Sequence, residues 1–423
     1  MRREKTLLLI GHPTEAVLAA KSLGLDVILF QHKSKFAQDQ ARYSDAMFLV
    51  DYTDTDAALA LADAAHRIWG FSAALSMTDA GLELSGRIND RYGLGGTGFE
   101  VSHRLHDKWA MRQRLAGSGV PTVGAMLVND RESLWSFAAA YGYPFILKPA
   151  DLSGGFGVRR IDGPSEIDAA WDRLRNWQES GMEKGPSSLL PVGDFIMEEY
   201  ADGPEYSVEA FSFAGRHVVI AVTEKLADER YFAELGHIVP ARVPTATEQD
   251  IAAAVTRFLD VVGIADGPTH TEVRLGRYGP VVIESHNRAG GGRIRDLVQA
   301  GYGIDLTRYI VGWPFGLVDE LPGRPEPVGG ACVRFLYGPA GRVEAVHGIA
   351  DAAAHPDVIA AESFVAPGDE VRPLRDNFDR LALLAVRGPD SDAAVRLCDE
   401  LLDNVVRIDV ASEYAVAGYG ESR

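Results

Sequence analysis

The segment 284–288, Glu-Ser-His-Asn-Arg, gathers a carboxylate, an imidazole, an amide and a guanidinium directly after the apolar residues 281–283. The β-branched residues favour a buried strand, and the glycines at 290–292 end it. Polar side chains at the end of an apolar strand suggest a functional site. The preceding segment 269–275, Thr-His-Thr-Glu-Val-Arg-Leu, is a second strand candidate, and Gly-Arg-Tyr-Gly-Pro at 276–280 predicts a turn between the two strands.

A hairpin that is symmetric about Tyr278 pairs Glu272 with Glu284 and His270 with His286. Two carboxylates directly opposite each other on one face of a sheet repel, and a bound cation removes that penalty. Mg²⁺ is the natural candidate, because it prefers carboxylate oxygens and completes its shell with water and nucleotide phosphates. The alternative is a solvated hairpin whose acids face water.

Lys148 ends the apolar stretch 144–148 and precedes the serine- and glycine-rich segment 153–157. The backbone N–H groups of such a loop can contact phosphate oxygens, and a lysine at its base adds a compact positive charge. The segment is not a P-loop, because the lysine precedes the glycines, and an ordinary flexible turn is the alternative. Lys108, near the start of a helix predicted over 101–116, is by itself typical of a solvated lysine.

Acidic residues also occur on the strands predicted farther along the chain. The stretch 195–201, Phe-Ile-Met-Glu-Glu-Tyr-Ala, is a short apolar run that ends in acids, and strands are predicted at 205–213 and 216–222. Alternation puts Glu205 and Glu209 on one face, which is either a site or a solvent face of an antiparallel sheet. Residues 224–244 are predicted to be irregular, and a helix is predicted from about 246 to 262.

The N-terminal part predicts an open α/β domain over residues 1 to about 95. Predicted helices lie at about 15–23 and 54–69. Strands are predicted at 6–10, 26–30, 47–50 and 73–76. The first strand-to-helix turn lacks GxGxxG, which argues against an NAD-dependent enzyme.

The composition is that of a globular protein with an acidic balance. At 423 residues the chain is expected to form about two to four compact units. The formal net charge of −18 disfavours a nucleic-acid or membrane partner, so any bound phosphate needs a local cationic cluster. Cys332 and Cys398 lack CxxC spacing, which favours a reducing compartment over disulfides or zinc. With no signal-peptide core and no membrane span, the sequence predicts a cytoplasmic protein.

The succession of these motifs, over roughly residues 100–320, resembles the ATP-grasp carboxylate–amine ligases. That family has a helix lysine, a strand lysine before a glycine-rich lid loop, an acidic hinge strand and two metal-binding acids, in this order. The resemblance implies an α/β chain with the ATP-grasp fold. Its first expected part is an N-terminal open parallel α/β (Rossmann-like) domain at 1–97. Two α+β ATP-grasp subdomains follow, one with the lid loop at 98–194 and one with the hinge and metal site at 195–323. A small C-terminal α+β domain is expected at 324–423.

The resemblance also implies roles for individual residues. The ATP-binding set comprises phosphate-contacting lysines, lid-loop residues, a hinge that meets adenine largely through its backbone and a ribose-binding acid: Lys108, Lys148, Ser153, Gly154, Gly155, Glu198, Glu199, Tyr200, Ala201 and Glu205. The implied metal ligands for two Mg²⁺ ions, which Mn²⁺ could replace, are Glu272 and Glu284 with His286 or Asn287.

Within the family, the chain looks most like the L-amino-acid ligases that join two amino acids or similar acids. Glu234-Leu-Gly-His237 resembles the E-x-G-H segment of their amino-acid pocket, and Glu234 and His237 are candidate bases for the attacking ammonium. Arg288 resembles their acyl-phosphate contact. Many relatives read E-x-N-x-R, whereas His286 and Asn287 stand here between Glu284 and Arg288, so which of the two completes the metal shell stays open.

The expected reaction is ATP-dependent amide formation from a carboxylate and an amine, with release of ADP and phosphate. Alternatives are an ATP-grasp enzyme that loads an acid onto a carrier-protein thiol or acts in purine or biotin-type metabolism, and a non-catalytic nucleotide-binding module. Small-molecule substrates are the expected partners, a homodimer is common among relatives, and a carrier protein remains among the candidates. Because the glycines at 290–292 lack side chains, the pocket beside Arg288 is expected to admit a larger substrate.

Overall fold

The computed structural model describes residues 5–179, 189–277 and 279–411. The N-terminal residues form a four-stranded parallel sheet in the order β3-β2-β1-β4, whose strands are β1 (Thr6–Ile10), β2 (Asp26–Gln31), β3 (Ala46–Leu49) and β4 (Ala73–Ser76). Its helices are α1 (Thr14–Ser22), α2 (Gln38–Tyr43), α3 (Thr55–Trp69) and α4 (Asp79–Tyr92). Every residue of β1 is buried, as a continuous apolar run in a parallel sheet requires. The predicted open α/β domain is confirmed.

The helix predicted over 101–116 is two helices, α5 (Phe99–His106) and α6 (Lys108–Leu115). Asp107 separates them, because its backbone is extended and its side chain accepts a hydrogen bond from the Ala110 amide at 2.7 Å. This N-cap starts α6 one residue later, so Lys108 becomes the first helical residue. The prediction of a single helix was wrong because it read the apolar spacing and overlooked the cap.

A four-stranded sheet in the order β5-β8-β6-β7 carries the glycine-rich loop, which connects β6 to β7. All three pairings in this sheet are antiparallel. Its elements are β5 (Ala125–Leu127), α7 (Arg131–Tyr141), β6 (Phe145–Pro149), β7 (Arg159–Ile161), α8 (Ile167–Glu179) and β8 (Phe195–Glu199). Part of the loop between α8 and β8, including Gly185 to Ser188, lies outside the described residues.

An eight-stranded antiparallel sheet, in the order β13-β12-β9-β10-β11-β14-β18-β16, forms the body of the molecule. Its strands are β9 (Glu205–Phe213), β10 (Arg216–Ala227), β11 (Glu234–Val239), β12 (Gly267–Gly276), β13 (Gly279–His286), β14 (Gly330–Leu336), β16 (Val358–Ser363) and β18 (Ala382–Gly388). Its helices are α9 (Thr245–Val262), α10 (Ile294–Tyr302), α11 (Leu306–Gly312), α12 (Ile349–Ala353) and α13 (Ser391–Asn404). A small sheet of β15 (Gly341–His347), β17 (Glu370–Val371) and β19 (Arg407–Ala411) completes the fold.

The region 224–244 is only partly irregular, and the prediction was wrong where β10 runs on to Ala227 and where β11 (Glu234–Val239) forms. Gly236 lies in β11, where a Cβ would stand only 2.4 Å from the Val333 carbonyl oxygen. A glycine in the middle of the segment therefore allows the close approach of β14 rather than interrupting the strand.

The hairpin of β12 and β13 has the predicted partners, with His270 opposite His286 and Glu272 opposite Glu284. The register shifts by one residue between Glu272 and Val273, so Ile283 is an extra residue in β13 and the turn closes at Gly276 opposite Gly279. Tyr278, the predicted centre of the turn, lies outside the described residues.

One apolar core extends across the predicted start of a separate C-terminal domain at residue 324. This core joins Phe211 and Leu297 to Val333, Phe335 and Leu383. Because β14 also pairs with β11, the C-terminal segment continues the central sheet. Across the described ranges, none of the helices combines the length and apolar composition that crossing a bilayer requires.

Candidate active site

Lys108 and Lys148 are both buried, so neither is a solvated surface lysine. The Nζ atom of Lys108 donates to the Leu152 carbonyl oxygen at 2.6 Å and lies 3.0 Å from Glu284 Oε2. The Nζ atom of Lys148 lies 2.8 Å from Glu198 Oε2. The two lysines flank the glycine-rich loop from a helix and from a strand, and both charges face carboxylates of the candidate site.

Arg112, which the sequence analysis did not identify, connects strand β8 to the hairpin of β12 and β13. Its Nε donates to Glu198 Oε1 at 2.7 Å, while its other nitrogens donate to the carbonyl oxygens of Val282 and Ile283, each at 2.8 Å. Burial raises the pKa of Glu198, but the charges of Arg112 and Lys148 outweigh burial and lower this pKa to about 2. Glu198 is therefore ionised and rigidly held.

Glu272 and Glu284 face each other across the hairpin with only 16% and 15% of their side chains exposed. Glu272 bonds the Lys225 ammonium, and Glu284 bonds Lys108 and lies 3.2 Å from His286 Nε2. Burial raises the pKa of Glu272, but Lys225 lowers it to about 2, and Lys108 likewise holds the pKa of Glu284 well below its ordinary value despite burial. Both carboxylates are ionised and each already faces a cation.

This donor set fits Mg²⁺, although the described part of the chain holds no preassembled group of three or more His, Cys, Asp or Glu side chains. Mg²⁺ commonly takes one or two carboxylates and fills its remaining positions with water and substrate phosphates. Two ionised carboxylates beside two buried lysines satisfy that requirement.

His286 and Asn287 point to different parts of the molecule. The His286 side chain lines the same cavity as Glu272 and Glu284. Asn287 donates to Ser102 Oγ at 3.0 Å and lines a separate cavity with residues of the N-terminal domain. The structure therefore brings His286, and not Asn287, together with the acid pair.

Glu209 is buried rather than on a solvent face. Its carboxylate bonds His270 Nδ1 and accepts a hydrogen bond from the Gly290 amide at 2.9 Å. Burial lowers the pKa of His270, but the charge of Glu209 outweighs it and raises this pKa to about 9. Glu209 thus fixes the backbone that follows Arg288.

Arg288 forms a paired contact with Asp79, the first residue of α4. Arg288 Nη2 donates to Asp79 Oδ2 at 3.0 Å, and Ser153 Oγ donates to the same oxygen at 2.7 Å. Asp79 therefore links the N-terminal domain, the glycine-rich loop and Arg288. Its position at the carboxyl end of β4, where ligands of parallel sheets bind, is a signal that could have identified it.

Lys225 is the centre of an acidic cluster that the sequence analysis missed. Its Nζ lies 2.8 Å from Glu205 and 3.3 Å from Glu234, and it also bonds Glu272. Burial lowers the pKa of Lys225, but these three carboxylates raise it well above its ordinary value. Arg274 adds a second contact to Glu205, with Nε 3.3 Å from Oε2.

Glu234 is held by a segment of the C-terminal part of the chain. Arg380 Nη2 donates to Glu234 Oε2 at 2.5 Å, and Asn377 Nδ2 donates to the same oxygen at 3.1 Å. His237 lies behind Glu234, with its Nε2 3.4 Å from Glu234 Oε1 and its Nδ1 3.2 Å from the Gly292 carbonyl oxygen. Because a carbonyl only accepts, Nδ1 carries the proton in that contact, which leaves the buried Nε2 as an acceptor when the ring is neutral.

The glycine-rich loop covers a narrow cavity of about 100 Å³, lined by most of the predicted nucleotide-binding residues. Gly154, Gly155 and Gly157 have φ angles of 73° to 74°, a left-handed conformation that favours glycine. The loop is tied down at Gly154, whose carbonyl accepts from the Asn377 amide at 3.4 Å. The lining residues include Lys148, Gly154, Gly155, Glu198, Glu199, Tyr200, Ala201, Glu205 and Phe232.

Two larger cavities, each of about 510 Å³, meet at Arg288 and Ser153. The N-terminal cavity lies against the first domain and is lined by His12, Gln31, Lys35, Asp79, Asp151 and Arg295 among others. The C-terminal cavity is lined by Glu234, His270, Glu272, Glu284, His286 and Arg380 among others. Arg288 therefore stands between two spaces that can each receive a small molecule.

The glycines at 290–292, which were expected to leave space for a larger substrate, also pack closely against the site. A Cβ at Gly292 would lie 2.7 Å from His237 Cε1, and one at Gly290 would lie 2.8 Å from His270 Nδ1. A Cβ at Gly291 would meet nothing within 4 Å. Two of the three glycines are thus needed for close packing against the site histidines.

Three family models match separate parts of the chain. Residues 17–96 match the ATP-grasp N-terminal domain, residues 141–296 match the ATP-grasp domain, and residues 334–410 match the L-amino acid ligase C-terminal domain 2. The order of the three models agrees with the order of the sheets described above.

Several similar proteins come from bacteria. An uncharacterized protein of Sinorhizobium fredii, y4rH, is 27% identical over 84% of this chain and 72% of its own length. Alanine–anticapsin ligase of Bacillus subtilis is 25% identical over 55% of this chain, and the match spans about half, 53%, of that enzyme. The crystal structure of an L-amino acid ligase from Bacillus licheniformis matches with a TM-score of 0.81 and 20% identity, covering 97% of this chain and all of that one.

Proposed function

Because this chain is an ATP-grasp ligase, we propose that it forms an amide bond between an amino acid or similar carboxylic acid and an amine, through an acyl phosphate. The observation that carries the proposal is the convergence of two lysines, two opposed carboxylates and an arginine from separate elements on one cleft. These residues are Lys108, Lys148, Glu272, Glu284 and Arg288.

ATP would bind beneath the glycine-rich loop, with its phosphates facing Lys108 and Lys148. The backbone of 198–201 would meet the adenine, and Glu205 would accept hydrogen bonds from the ribose hydroxyls. Lys148, residues 198–201 and Glu205 line one cavity, which supports this arrangement. The left-handed glycines of the loop leave its backbone N–H groups free of side-chain obstruction, as a phosphate-covering segment requires.

Glu272 and Glu284 would hold Mg²⁺, in our proposal two ions that Mn²⁺ could replace, with His286 rather than Asn287 beside them. When bound, this metal would neutralise negative charge on the phosphates. Lys108 now faces Glu284, so binding of the metal would release its ammonium toward the phosphates.

The first chemical step would join the substrate acid to phosphate. A carboxylate oxygen attacks the γ-phosphorus of ATP, the bond to the bridging β–γ oxygen breaks, and ADP leaves with that oxygen. Arg288, held by Asp79, would bind the acyl phosphate that forms, because a fixed guanidinium matches two oxygens of a phosphoryl group.

In the second step the amine attacks the acyl carbon, and phosphate leaves with the former carboxylate oxygen. The attacking ammonium must first lose a proton. Glu234 lines the cavity and would bind the ammonium, while His237 behind it offers an acceptor nitrogen for the proton. Burial raises the pKa of Glu234, but the charge of Lys225, the largest opposing cause, holds it well below its ordinary value, which suits binding of a cation better than proton storage.

A substrate panel with product mass spectrometry tests the proposal. Purified protein with Mg²⁺-ATP and pairs of amino acids or other acids and amines should release ADP only with particular pairs, together with a product lighter than the sum of the pair by one water. ADP release without an amide, or with mass added only to a carrier protein, would favour carrier loading. Absence of substrate-dependent ADP release across a broad panel would contradict the proposal.

A further inference from the structure

The N-terminal cavity contains two cations that bond no carboxylate among the residues the structure describes. Arg295 lies in the first turn of α10, where its Nη1 donates to Thr307 Oγ1 at 3.2 Å. Lys35 lies on the exposed turn that follows β2. By contrast, the neighbouring guanidiniums of Arg288 and Arg293 each bond a carboxylate. Arg295 and Lys35 therefore bring uncompensated positive charge to this cavity.

The carboxylates of the same cavity do not neutralise these cations. Asp79 is occupied by Arg288 and by the hydroxyl of Ser153. Asp151 lies at the base of the glycine-rich loop, and burial raises the pKa of its carboxyl group. Neither acid is within ion-pair distance of Arg295 or Lys35 in the described structure. In a chain with a formal net charge of −18, such a local excess of positive charge is a feature that attracts an anion.

The part of the lining formed by His12, Gln31 and Gln40 is polar and uncharged. Burial lowers the pKa of His12 to about 3, so its ring is neutral, and its Nε2 lies 3.1 Å from the Leu75 carbonyl oxygen. The side-chain amides of Gln31 and Gln40 both donate to the His12 carbonyl oxygen, at 3.1 Å and 2.9 Å. These contacts fix the wall and introduce no negative charge that would repel an anionic ligand.

The cavity also reaches the reacting centre, because Arg288 and Ser153 line both large cavities. A substrate whose reacting group lies at Arg288 can extend either toward Glu234 or toward Arg295. Glu234 is an anion that suits an ammonium, whereas Arg295 and Lys35 suit an anion. The two cavities therefore differ in the charge that they favour, as two unlike substrates require.

We propose that the N-terminal cavity binds an anionic group of one of the two organic substrates, with Arg295 as its main contact and Lys35 as the second. The inference rests on the proposed ligation and specifies one substrate class: a small molecule that carries a carboxylate or phosphate remote from the group that reacts at Arg288. The other substrate occupies the C-terminal cavity.

Kinetics with matched amino acids test the substrate class. Glutamate, O-phosphoserine and norvaline are offered with each partner of the panel to the wild type, to Arg295→Gln and to Arg257→Gln, which removes an exposed charge from α9. We expect glutamate or O-phosphoserine to be preferred over norvaline. Arg295→Gln should raise the KM for the anionic substrate about 10-fold or more and leave the KM for ATP within about twofold, and Arg257→Gln should change neither. Lys35→Gln should have a smaller effect in the same direction.

Calorimetry separates failure of this inference from failure of the proposed function. Glutarate and inorganic phosphate are titrated into each variant, with ATP as the check that the variant is folded. Weaker binding of glutarate or phosphate to Arg295→Gln supports the inference even if no ligation is found. Ligation that prefers norvaline, together with glutarate and phosphate affinities that Arg295→Gln does not change, overturns the inference and leaves the proposed ligation intact.

Discussion

Lys225 shows how a single buried cation can organise a site. Its ammonium touches three carboxylates that we assign to ribose, ammonium and metal binding, so these acids share one counter-ion. A carboxylate that is buried without such a partner would be protonated or destabilising. One buried ammonium is therefore a shared counter-ion for acids that line two neighbouring pockets.

Glu284→Gln tests the metal assignment. The substitution keeps the volume of the side chain but removes the charge that Mg²⁺ needs, so we expect ADP release to fall by about 100-fold or more. The measurement is Mg²⁺-dependent ADP release, with thermal unfolding to confirm that the variant is folded. Glu320→Gln, at an exposed ion pair with Arg216, is the matched control and should retain full activity. Retained turnover in Glu284→Gln would reject the assignment.

Arg380→Gln tests the support of Glu234 by the C-terminal segment. Arg380 packs its guanidinium over the Phe335 ring and donates to Glu234, so its removal should let the carboxylate move. We expect kcat to fall about 10- to 100-fold while the KM for ATP stays nearly constant. The control is Arg387→Gln, which removes an exposed arginine near Asp357. Equal losses in kcat and in ATP affinity would instead indicate a general structural defect.

Alternation along strands predicted the positions of the acid pair, because side chains of a two-stranded hairpin meet in a fixed register. Lys225 was missed because the strand predicted from Arg216 ended at Val222. The same counting of residue pairs along two strands would otherwise have applied to it. Counting outward from the turn at Ala214 brings Lys225 beside Glu205, after a one-residue shift near Ile220. Arg380 and Asn377 carried no such signal, because no local pattern brings a loop from the C-terminal segment to Glu234.

At the scale of elements, the contact between α4 and α5 includes a partly buried charge pair. Glu83 Oε1 lies 3.1 Å from His106 Nδ1 and 3.0 Å from His103 Nδ1. Burial raises the pKa of Glu83, but hydrogen bonds to the two histidines lower it to about 2. Burial lowers the pKa of His106, but its hydrogen bond to Glu83 leaves it raised overall.

The pH dependence of stability follows from these directions. The lowered pKa of Glu83 contributes stability above its ordinary value of 4.5, and this is lost as the pH falls through about 2. The raised pKa of His106 contributes stability below its ordinary value of 6.5, and this is lost as the pH rises through the shifted value. Both contributions to stability are fully present between pH 4.5 and pH 6.5, where Glu83 and His106 are both charged.

Glu83→Gln should therefore destabilise the protein by about 1.5 kcal/mol near pH 5.5 and by clearly less near pH 9. Urea unfolding at both pH values gives the two free energies. Glu100→Gln on α5, whose carboxylate is 73% exposed beside Arg104, is the control and should have little effect at either pH. A loss that does not change with pH would contradict the charge pair.

The order of elements was largely predictable, because apolar runs, helical spacing and turn residues are local properties. The helix boundary at Asp107 and strand β11 were not predicted, since each depends on a specific contact. In the first, a cap hydrogen bond ends one helix and starts another. In the second, a glycine lets two strands approach. Local patterns identify an element more reliably than its limits.

At the scale of the whole molecule, the C-terminal segment completes the central sheet. Strand β14 pairs with β11, and Val333 and Phe335 pack in the same core as Phe211 and Leu297. The resemblance to a multidomain family implied a boundary after residue 323. One apolar core extends on both sides of this position.

A chain that ends at residue 323 should therefore fail to fold into a nucleotide-binding protein. The truncated chain lacks β14 and β18. The edge of β11 and a large apolar surface would therefore be exposed, which favours aggregation. Size-exclusion chromatography and thermal unfolding of the truncated and full chains provide the measurement. A monomeric 1–323 fragment that unfolds cooperatively and binds ATP would show that the C-terminal segment is an independent domain.

The extra residue at Ile283 separates the acid pair from the turn of the same hairpin. On one side of this bulge Glu272 stays opposite Glu284, and on the other side the strands close with a different register. Changes in the length of the turn therefore need not rotate the acids to the opposite face of the sheet. The hairpin tip is accordingly a suitable graft point for a short reporter peptide, whose signal could follow nucleotide binding without altering the groups that bind it.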